Sequence, residues 1–566
     1  MNKNRQLSRV AFMLCLTMVL GMFGGFTAFA EAPVTIVMGY NASTNPMDEE
    51  YWPTDFVTEM NRILGIDLQI EVYDTDKMNL VLASGELPDI MMVNPVQAKQ
   101  VLDGGLAVAM DDYLPDYGAN IVKFETRNEV IRHFMSNGDG KLYFHTPNTG
   151  IENATGGTEL WNGYIVRWDV YKEIGAPEIK NDDDYVAVLK QMQAACPTTE
   201  DGKPTYGMGM HNDSGLWGWN IGLFANMGYQ NNSGWTTATS YVTNEIISNY
   251  LDENAPFWAS MRLFNKLYNN GLLDPDAFTM KSEEVNEKAG AGQYMGGYCT
   301  WFSGRFFTNE AAKDPNTIKG YMAVPAEGQG GWYAANHAVG WGDKALFVST
   351  SARNPAKCVE VIDWFDTDEA GRLHFSGVEG QNWDYVGGVP TIKDEVLELR
   401  ATLGTNSNEW KKYGIESFNN FIGASAATLA EDGHPYGLFD VPEIKAKGLN
   451  SIQRDFSAFY GVDYPAQKHV KLAEESKAFN QQNSLITAIN IGISEIPSDI
   501  SRIDAKVDEM AMKAIPTLVQ AADDAAFEAA KAQFIDEIKV AGIEQSFGWW
   551  SEQWNTAKDY VESVVK

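Results

Sequence analysis

The spacing of apolar segments between residues 33 and 103 predicts an α/β fold with a doubly wound parallel sheet. Two observations carry this. Short apolar runs and amphipathic stretches alternate as β-α-β-α-β. The last run, residues 90–93 (I-M-M-V), is apolar at all four positions, as in a strand buried on both faces.

Residues 34–39 read as the first strand. Residues 51–64 read as an amphipathic helix, with Gly65 as its cap, and residues 66–73 alternate as a second strand. Residues 77–84 read as a helix that stops at Gly85, and Pro88 keeps it from resuming before the strand 90–93. Asn94-Pro95 ends that strand, and residues 97–103 are helical. A polar residue just past the carboxyl end of a parallel strand is where open α/β sheets hold ligands. Asp89, by contrast, reads as a turn cap. After the turn Gly138-Asp139-Gly140, residues 141–144 read as a further strand.

A second unit follows. Residues 163–166 read as a strand and 168–174 as a short helix stopped by Gly175-Ala176-Pro177. Asp182, Asp183 or Asp184 is expected to cap a helix through residue 195. Residues 257–270 form an amphipathic helix, 296–301 a strand leading into a Gly-rich turn, and 345–348 a strand. Asn354-Pro355 opens a helix through residue 366. The remainder is mostly helical. In residues 522–540, Phe527, Ala530, Phe534, Ile535 and Ile538 share one face.

The first thirty residues read as an export signal: Lys3, Arg5 and Arg9, then an apolar stretch, then Ala28-Phe29-Ala30 as a cleavage site after Ala30. Cys15 stands too early, and behind Phe12-Met13-Leu14, to serve a lipobox. No later stretch approaches the ~18 consecutive apolar residues of a membrane span. The net charge of −33 repels nucleic acid and anionic lipid and suits solubility outside the cell. Cys196, Cys299 and Cys358 are too few and too odd in number for a disulfide framework.

Sixteen Trp and 24 Tyr are an unusual aromatic load, and several Trp sit beside Gly, Asn and Ser without regular periodicity. Sugars offer apolar C–H faces and a rim of hydroxyls, which aromatic platforms and Asp, Asn, Glu or Arg side chains meet. Trp301, Trp383, Trp217, Trp219, Trp332 and Trp341 are the platform candidates. Asn41, Asn94, Arg167 and Glu379 are the rim candidates, although Arg167 reads better as an ion-paired structural residue. The pair Trp549-Trp550 reads as packing between C-terminal helices.

Six segments, in order, give the chain a family likeness: L-A-S-G-E-L-P-D-I (82–90), G-G-L-A-V-A-M-D-D-Y-L (104–114), D-G-K-L-Y (139–143), I-V-R-W-D-V-Y-K-E-I-G-A-P (165–177), N-P-A-K-C-V-E-V-I-D-W-F (354–365) and G-V-E-G-Q-N-W (377–383). Together they resemble the family 1 extracellular solute-binding proteins of ABC importers, in particular the LplA-like, oligosaccharide-type group. The resemblance implies a two-lobed periplasmic-binding-protein-like fold, with a hinge between the lobes and a helical C-terminal extension. It places lobe 1 at residues 33–146 plus 333–385 and lobe 2 at 147–332 plus 386–566. It implies a monomer that traps an oligosaccharide by hinge closure and presents it to an ABC permease in the membrane, without a cofactor. Relatives often carry an Asp/Asn-rich loop suited to Ca²⁺. Here the matching residues 197–205 (P-T-T-E-D-G-K-P-T) keep two carboxylates and add a Lys, so no metal is expected. Two other readings stand beside this one. A polysaccharide-active exported enzyme would also use an aromatic cleft and carboxylates, but the chain has no H-E-x-x-H, G-x-S-x-G or P-loop. An oligopeptide receptor would share the fold.

Overall fold

The structure, a computed structural model, describes residues 32–41, 51–147, 162–299 except 233 and 242, 303–326, 344–476 except 406, 419, 420, 423–425 and 427, and 485–565 except 494 and 495. The expected export signal and the candidate platforms Trp301, Trp332 and Trp341 lie outside the described residues.

The first lobe begins as the sequence predicts. β1 (Val34–Asn41) leads to α1 (Asp55–Leu64), whose cap Thr54 accepts from the Val57 amide and whose end at Gly65 is left-handed, φ 63°. β2 (Ile66–Tyr73) runs parallel to β1, from Val34 opposite Ile66 to Asn41 opposite Tyr73. α2 (Thr75–Ser84) is capped by Asp74 and ends at Gly85, φ 72°. β3 (Ile90–Val93), buried at every position, lies parallel on the other side of β1. α3 (Pro95–Asp103) follows at once. The strand expected at 141–144 does not form. Leu142 donates its amide to the Asp111 carboxylate and accepts from the Met110 amide, so this backbone is bonded to a turn, and only His145 bridges to Leu346. Asp89 does more than cap a turn: its carboxylate accepts from the amides of Val37 and Arg353 and pairs with the Arg353 side chain.

In the second lobe β4 (Asn162–Arg167) runs into α4 (Trp168–Glu173), followed by α5 (Asp182–Ala195). Asn181, rather than any of the three Asp after it, caps α5 by accepting from the amides of Asp183 and Asp184. The three carboxylates occupy the first turn instead, where the helix dipole favours negative charge. α6 (Gly215–Asn226), a small antiparallel sheet β5–β6–β7 (Tyr229–Asn231, Thr237–Ser240, Ile246–Ser248) and α7 (Pro256–Asn269) come next. β8 (Gly296–Cys299) and β9 (Tyr321–Val324) then flank β4 on both sides, each antiparallel to it.

The chain returns to the first sheet through β10 (Ala345–Val348), antiparallel to β3, so the order is β10-β3-β1-β2 and the sheet is mixed rather than all parallel. α8 (Pro355–Trp364), α9 (Asp368–Ser376) and the hairpin β11–β12 (Trp383–Val386, Val389–Ile392) follow. Gly387 and Gly388, at φ 61° and 88°, form the hairpin turn, a double positive-φ geometry that favours glycine. The C-terminal region is helical as expected: α10 (Ile486–Ile491), α11 (Ser498–Val519), α12 (Asp524–Ala541) and α13 (Ile543–Val564).

Two large cores correct the expected division. One joins Ile36, Met38, Ile90 and Phe347; the other joins Ile165, Trp168, Leu189 and Phe264. Residues 386–566 do not all serve the second. Phe418 and Phe421, Ile486 and Ile489 of α10, and Trp554 and Val561 of α13 are buried in the first core. Ile543 at the other end of α13 lies in the second core. A 22-residue helix spans about 33 Å, enough to reach both. Trp383, Ile392, Trp410 and Phe439 form a third, smaller cluster. Among the described residues no helix is long and apolar enough to cross a membrane.

Candidate functional site

The two sheets present comparable edges. β1 and β3 end at Asn41 and Val93, and β10 begins beside Val93, so these ends share one edge. In the second sheet Asn162 at the start of β4 pairs with Cys299 at the end of β8, and Tyr164 with Val324 at the end of β9. The chain leaves the first sheet after His145, enters the second at Asn162, and returns from Val324 to Ala345. These two links between the sheets therefore depart from these edges.

The residues expected at a ligand site scatter on folding. Asn41 is the last residue of β1, and its side chain lies outside the described residues. Asn94 is exposed at the same edge, but it caps α3: its oxygen accepts from the Gln97 amide at 2.9 Å, while the Gln97 side chain accepts from the Asn94 amide at 3.2 Å. Trp217 and Trp219 are not on a loop. Both lie on α6, whose glycines suit tight packing: an added Cβ at Gly218 would collide with the His211 carbonyl. Trp219 is 1% exposed, stacked on Phe278 and edge-on to Phe264, with its indole nitrogen donating to Asn212. It is core, which corrects the expectation of a platform; Trp217 is half-buried. Arg167 follows its structural reading: it pairs with Asp169, donates to the Gly292 carbonyl at 2.8 Å and stands over the Phe306 ring. Trp550 is buried between C-terminal helices, as read.

Glu379 and Trp383 do come together. They line a groove of about 440 Å³ in the first lobe, between α1, the start of α9, the turn after α9 and the residues 430–432. That volume lies within the range of small-molecule sites. Glu59, Arg62 and Ile63 of α1 form one wall, and Gln381 in the turn bonds Asp55 at the first turn of the same helix. On α1 the lining is confined to Glu59, Arg62 and Ile63, in the second half of the helix. Trp383 itself is 5% exposed: its indole nitrogen donates to the Gly377 carbonyl at 2.9 Å, and the Arg372 guanidinium covers its ring at 5.4 Å. It is a wall of the groove rather than an open platform. The accessible aromatic is Tyr385, 49% exposed, edge-on to Trp383, with its hydroxyl donating to Asp432.

The electrostatics of the groove are lopsided. Arg62 grips Glu59 with two bonds of 2.7 and 2.9 Å, and Arg372 grips Asp432. The Arg62 bond holds the Glu59 carboxyl below its usual pKa. For Asp432 burial works the other way, but the Arg372 bonds prevail and lower it. Asp368 accepts from the Tyr436 hydroxyl and the Glu431 amide, and Glu369 from the Trp364 indole. Among the described residues, the exposed Glu379 and Glu431 side chains have no bonded partner. Carboxylates that accept from hydroxyls, beside a half-exposed phenol ring, are suited to a polyhydroxylated ligand. Sequence reasoning missed Tyr385, Arg372, Glu431 and Asp432. Tyr385 carried a signal: two residues from Trp383 in a strand, it shares that side chain's face. Residues 430–432 carried none, since only the tertiary fold brings them to α9.

Residues 197–205 close on themselves. Thr198 bridges to Pro204, Thr199 donates to Asp201, and Lys203 stands 3.4 Å from Asp201. Among the described residues no cluster of three or more His, Cys, Asp or Glu could hold a metal ion.

No family model matches the chain. Its sequence is related to two Bacillus subtilis proteins. It is 24% identical to lipoprotein LipO over 56% of this chain and 60% of that protein. It is 23% identical to the polygalacturonan/rhamnogalacturonan-binding protein YtcQ over 58% and 63%. The chain thus spans about three fifths of the length of these curated relatives. Solved structures resemble it far more broadly. An extracellular solute-binding protein from Bifidobacterium longum subsp. infantis superposes with a TM-score of 0.60 at 14% identity, over 93% of this chain and 98% of that one. The Streptococcus pneumoniae ABC-transporter substrate-binding protein FusA, in complex with kestose, gives 0.57 at 13% identity, over 94% and 100%. The alginate-binding protein AlgQ2 gives 0.56 at 16% identity, over 93% and 98%. The fold is therefore that of the two-lobed solute-binding proteins.

Proposed function

We propose that this chain is an exported substrate-binding protein that captures an oligosaccharide for uptake by an ABC transporter. It holds the ligand without transforming it. The observation that carries the reading is the groove of Glu379, Trp383 and Tyr385 within a fold shared along more than nine tenths of the chain with saccharide-binding proteins. In this reading the groove is the first lobe's share of the ligand surface. The second lobe closes over it from the facing strand edge, and a membrane permease receives the closed form. Closure shifts a population towards contacts that exist only in the closed state. The chain acts as a monomer at the cell envelope, after cleavage behind Ala30.

Isothermal titration of residues 31–566 with a panel of oligosaccharides tests this. One or more saccharides should bind with micromolar or tighter affinity and be recovered chemically unchanged. Tyr385→Ala should weaken binding at least fivefold, while Trp219→Phe, a change within the core, should leave it within twofold. Cleavage of the saccharide would replace the reading with an enzyme. Binding of oligopeptides alone would discard the ligand class and keep the fold.

A further inference from the structure

We infer that the saccharide this site takes carries no uronic acids; the inference rests on the saccharide reading above and names the ligand class within it. Three observations converge. The groove is lined by six carboxylates (Glu59, Asp368, Glu369, Glu379, Glu431 and Asp432) against two guanidinium groups. Both guanidinium groups are already engaged by carboxylates of the same groove. Glu379 and Glu431, which have no bonded partner among the described residues, are as carboxylates hydrogen-bond acceptors only, so they select donors such as hydroxyls.

A site for a polyuronate needs spare cations, above all arginine, whose planar fork matches a carboxylate. Every described arginine of residues 51–147 and 344–392 is ion-paired within the chain, Arg62 and Arg353 at the surface: Arg62 with Glu59, Arg127 with Asp366, Arg132 with Asp111, Arg353 with Asp89 and Arg372 with Asp432. In the second lobe Arg167 is held by Asp169. Freeing any of these would strand a carboxylate, and Asp89 and Asp366 would be stranded almost fully buried. The net charge of −33 acts in the same direction over longer range, slowing the approach of a polyanion. A neutral saccharide meets none of these penalties. Its hydroxyls donate to Glu379 and Glu431, and its C–H face lies against Tyr385.

The contrast with two similar proteins sharpens the point, since YtcQ is named for binding polygalacturonan and AlgQ2 for alginate. Both ligands are polyanions. On this reading the present chain shares their fold and departs from them in ligand charge.

The test uses residues 31–566 and neutral gluco-, galacto- and manno-tetrasaccharides, each paired with its counterpart oxidised at C6 to the uronate. Each pair has one skeleton and differs in charge. Titration at low salt should find a neutral member that binds at least tenfold tighter than its uronate. Added salt should narrow the gap, because screening weakens the repulsion. Glu431→Lys should raise uronate affinity at least threefold and lower that of the neutral partner. A uronate that binds the unmodified protein as tightly as its neutral counterpart, or tighter, overturns this inference and leaves the saccharide reading standing. If no saccharide binds, while the protein melts cooperatively, the saccharide reading itself falls and this inference with it.

Discussion

Two carboxylate sites, one in each lobe, are held in opposite ways. In the first lobe Asp366 is 1% exposed and faces charge: Arg127 donates to its two oxygens at 2.7 and 3.0 Å, and His145 lies 3.1 Å away. Burial alone would raise its pKa, but Arg127 and His145 outweigh burial and hold it well below the usual carboxylate range. In the second lobe Asp504 and Asp508 sit one turn apart on α11 and face neutral donors. Asp504 accepts from Thr236, Ser546 and the Trp550 indole; Asp508 accepts from the Trp235 amide and the Tyr250 hydroxyl. Burial, with Asp504 nearby, pushes Asp508 up to about 6. The more deeply buried Asp366 is favoured as an anion, and the partly buried Asp508 as an acid. What decides is the charge of the facing groups, and burial only sets the size of the effect.

The largest expected effect breaks the first arrangement. Arg127→Met leaves Asp366 buried without its main counter-charge and should cost about 3–5 kcal/mol of unfolding free energy in urea at pH 7.5. A loss under 1 kcal/mol would mean that Asp366 gains little from the pair.

The second arrangement should respond with the opposite sign. Because folding raises the Asp508 pKa, its contribution is fully present below the unfolded value near ~4 and is lost as pH rises through about 6. Asp508→Asn should therefore remove a decline in stability between about pH 4 and pH 6, and at pH 7.5 it should stabilise by up to roughly 3 kcal/mol. Melting curves across that range decide it, and an unchanged pH slope would sink the assignment.

Acid sharpens the comparison further. The folded state depresses Asp366, so its contribution is present above the unfolded pKa and is lost as pH falls towards the folded one. Below about pH 4 the first lobe should weaken while the Asp508 side of the second retains its stability. Hydrogen exchange at pH 3 should thus accelerate first in β1, β2 and β3. Uniform acceleration in both lobes would refute this.

The smallest effect lies at the surface. Tyr385→Ala should change stability by less than about 0.5 kcal/mol, because the half-exposed ring packs little of the core. Its effect should fall on ligand affinity instead. A stability loss well above 1 kcal/mol would make the hairpin structural.

Much of the first lobe was legible in the sequence because its signals are local. Gly65 and Gly85 end their helices, and the apolar residues 90–93 form a strand buried at every position. The candidate site was less legible. Trp219 and Trp383 both follow Gly, Asn or another Trp within a few residues and look alike in sequence, yet one lies inside the second core and the other walls a groove. A Gly-rich stretch reads as loop, but at Gly218 the glycine admits close packing against the His211 backbone inside a helix.

What the sequence determined by itself is the set of elements and their apolar faces. Caps, turns and periodicity act over a few residues and need no partner to be read. Which faces meet was decided only by the tertiary structure. One stripe along α13 places Ile543 in the second core and Trp554 and Val561 in the first, and residues 430–432 reach α9 from more than fifty positions away. Such pairings depend on the summed burial of many side chains, and no local pattern encodes which of several equally apolar faces will be the partner.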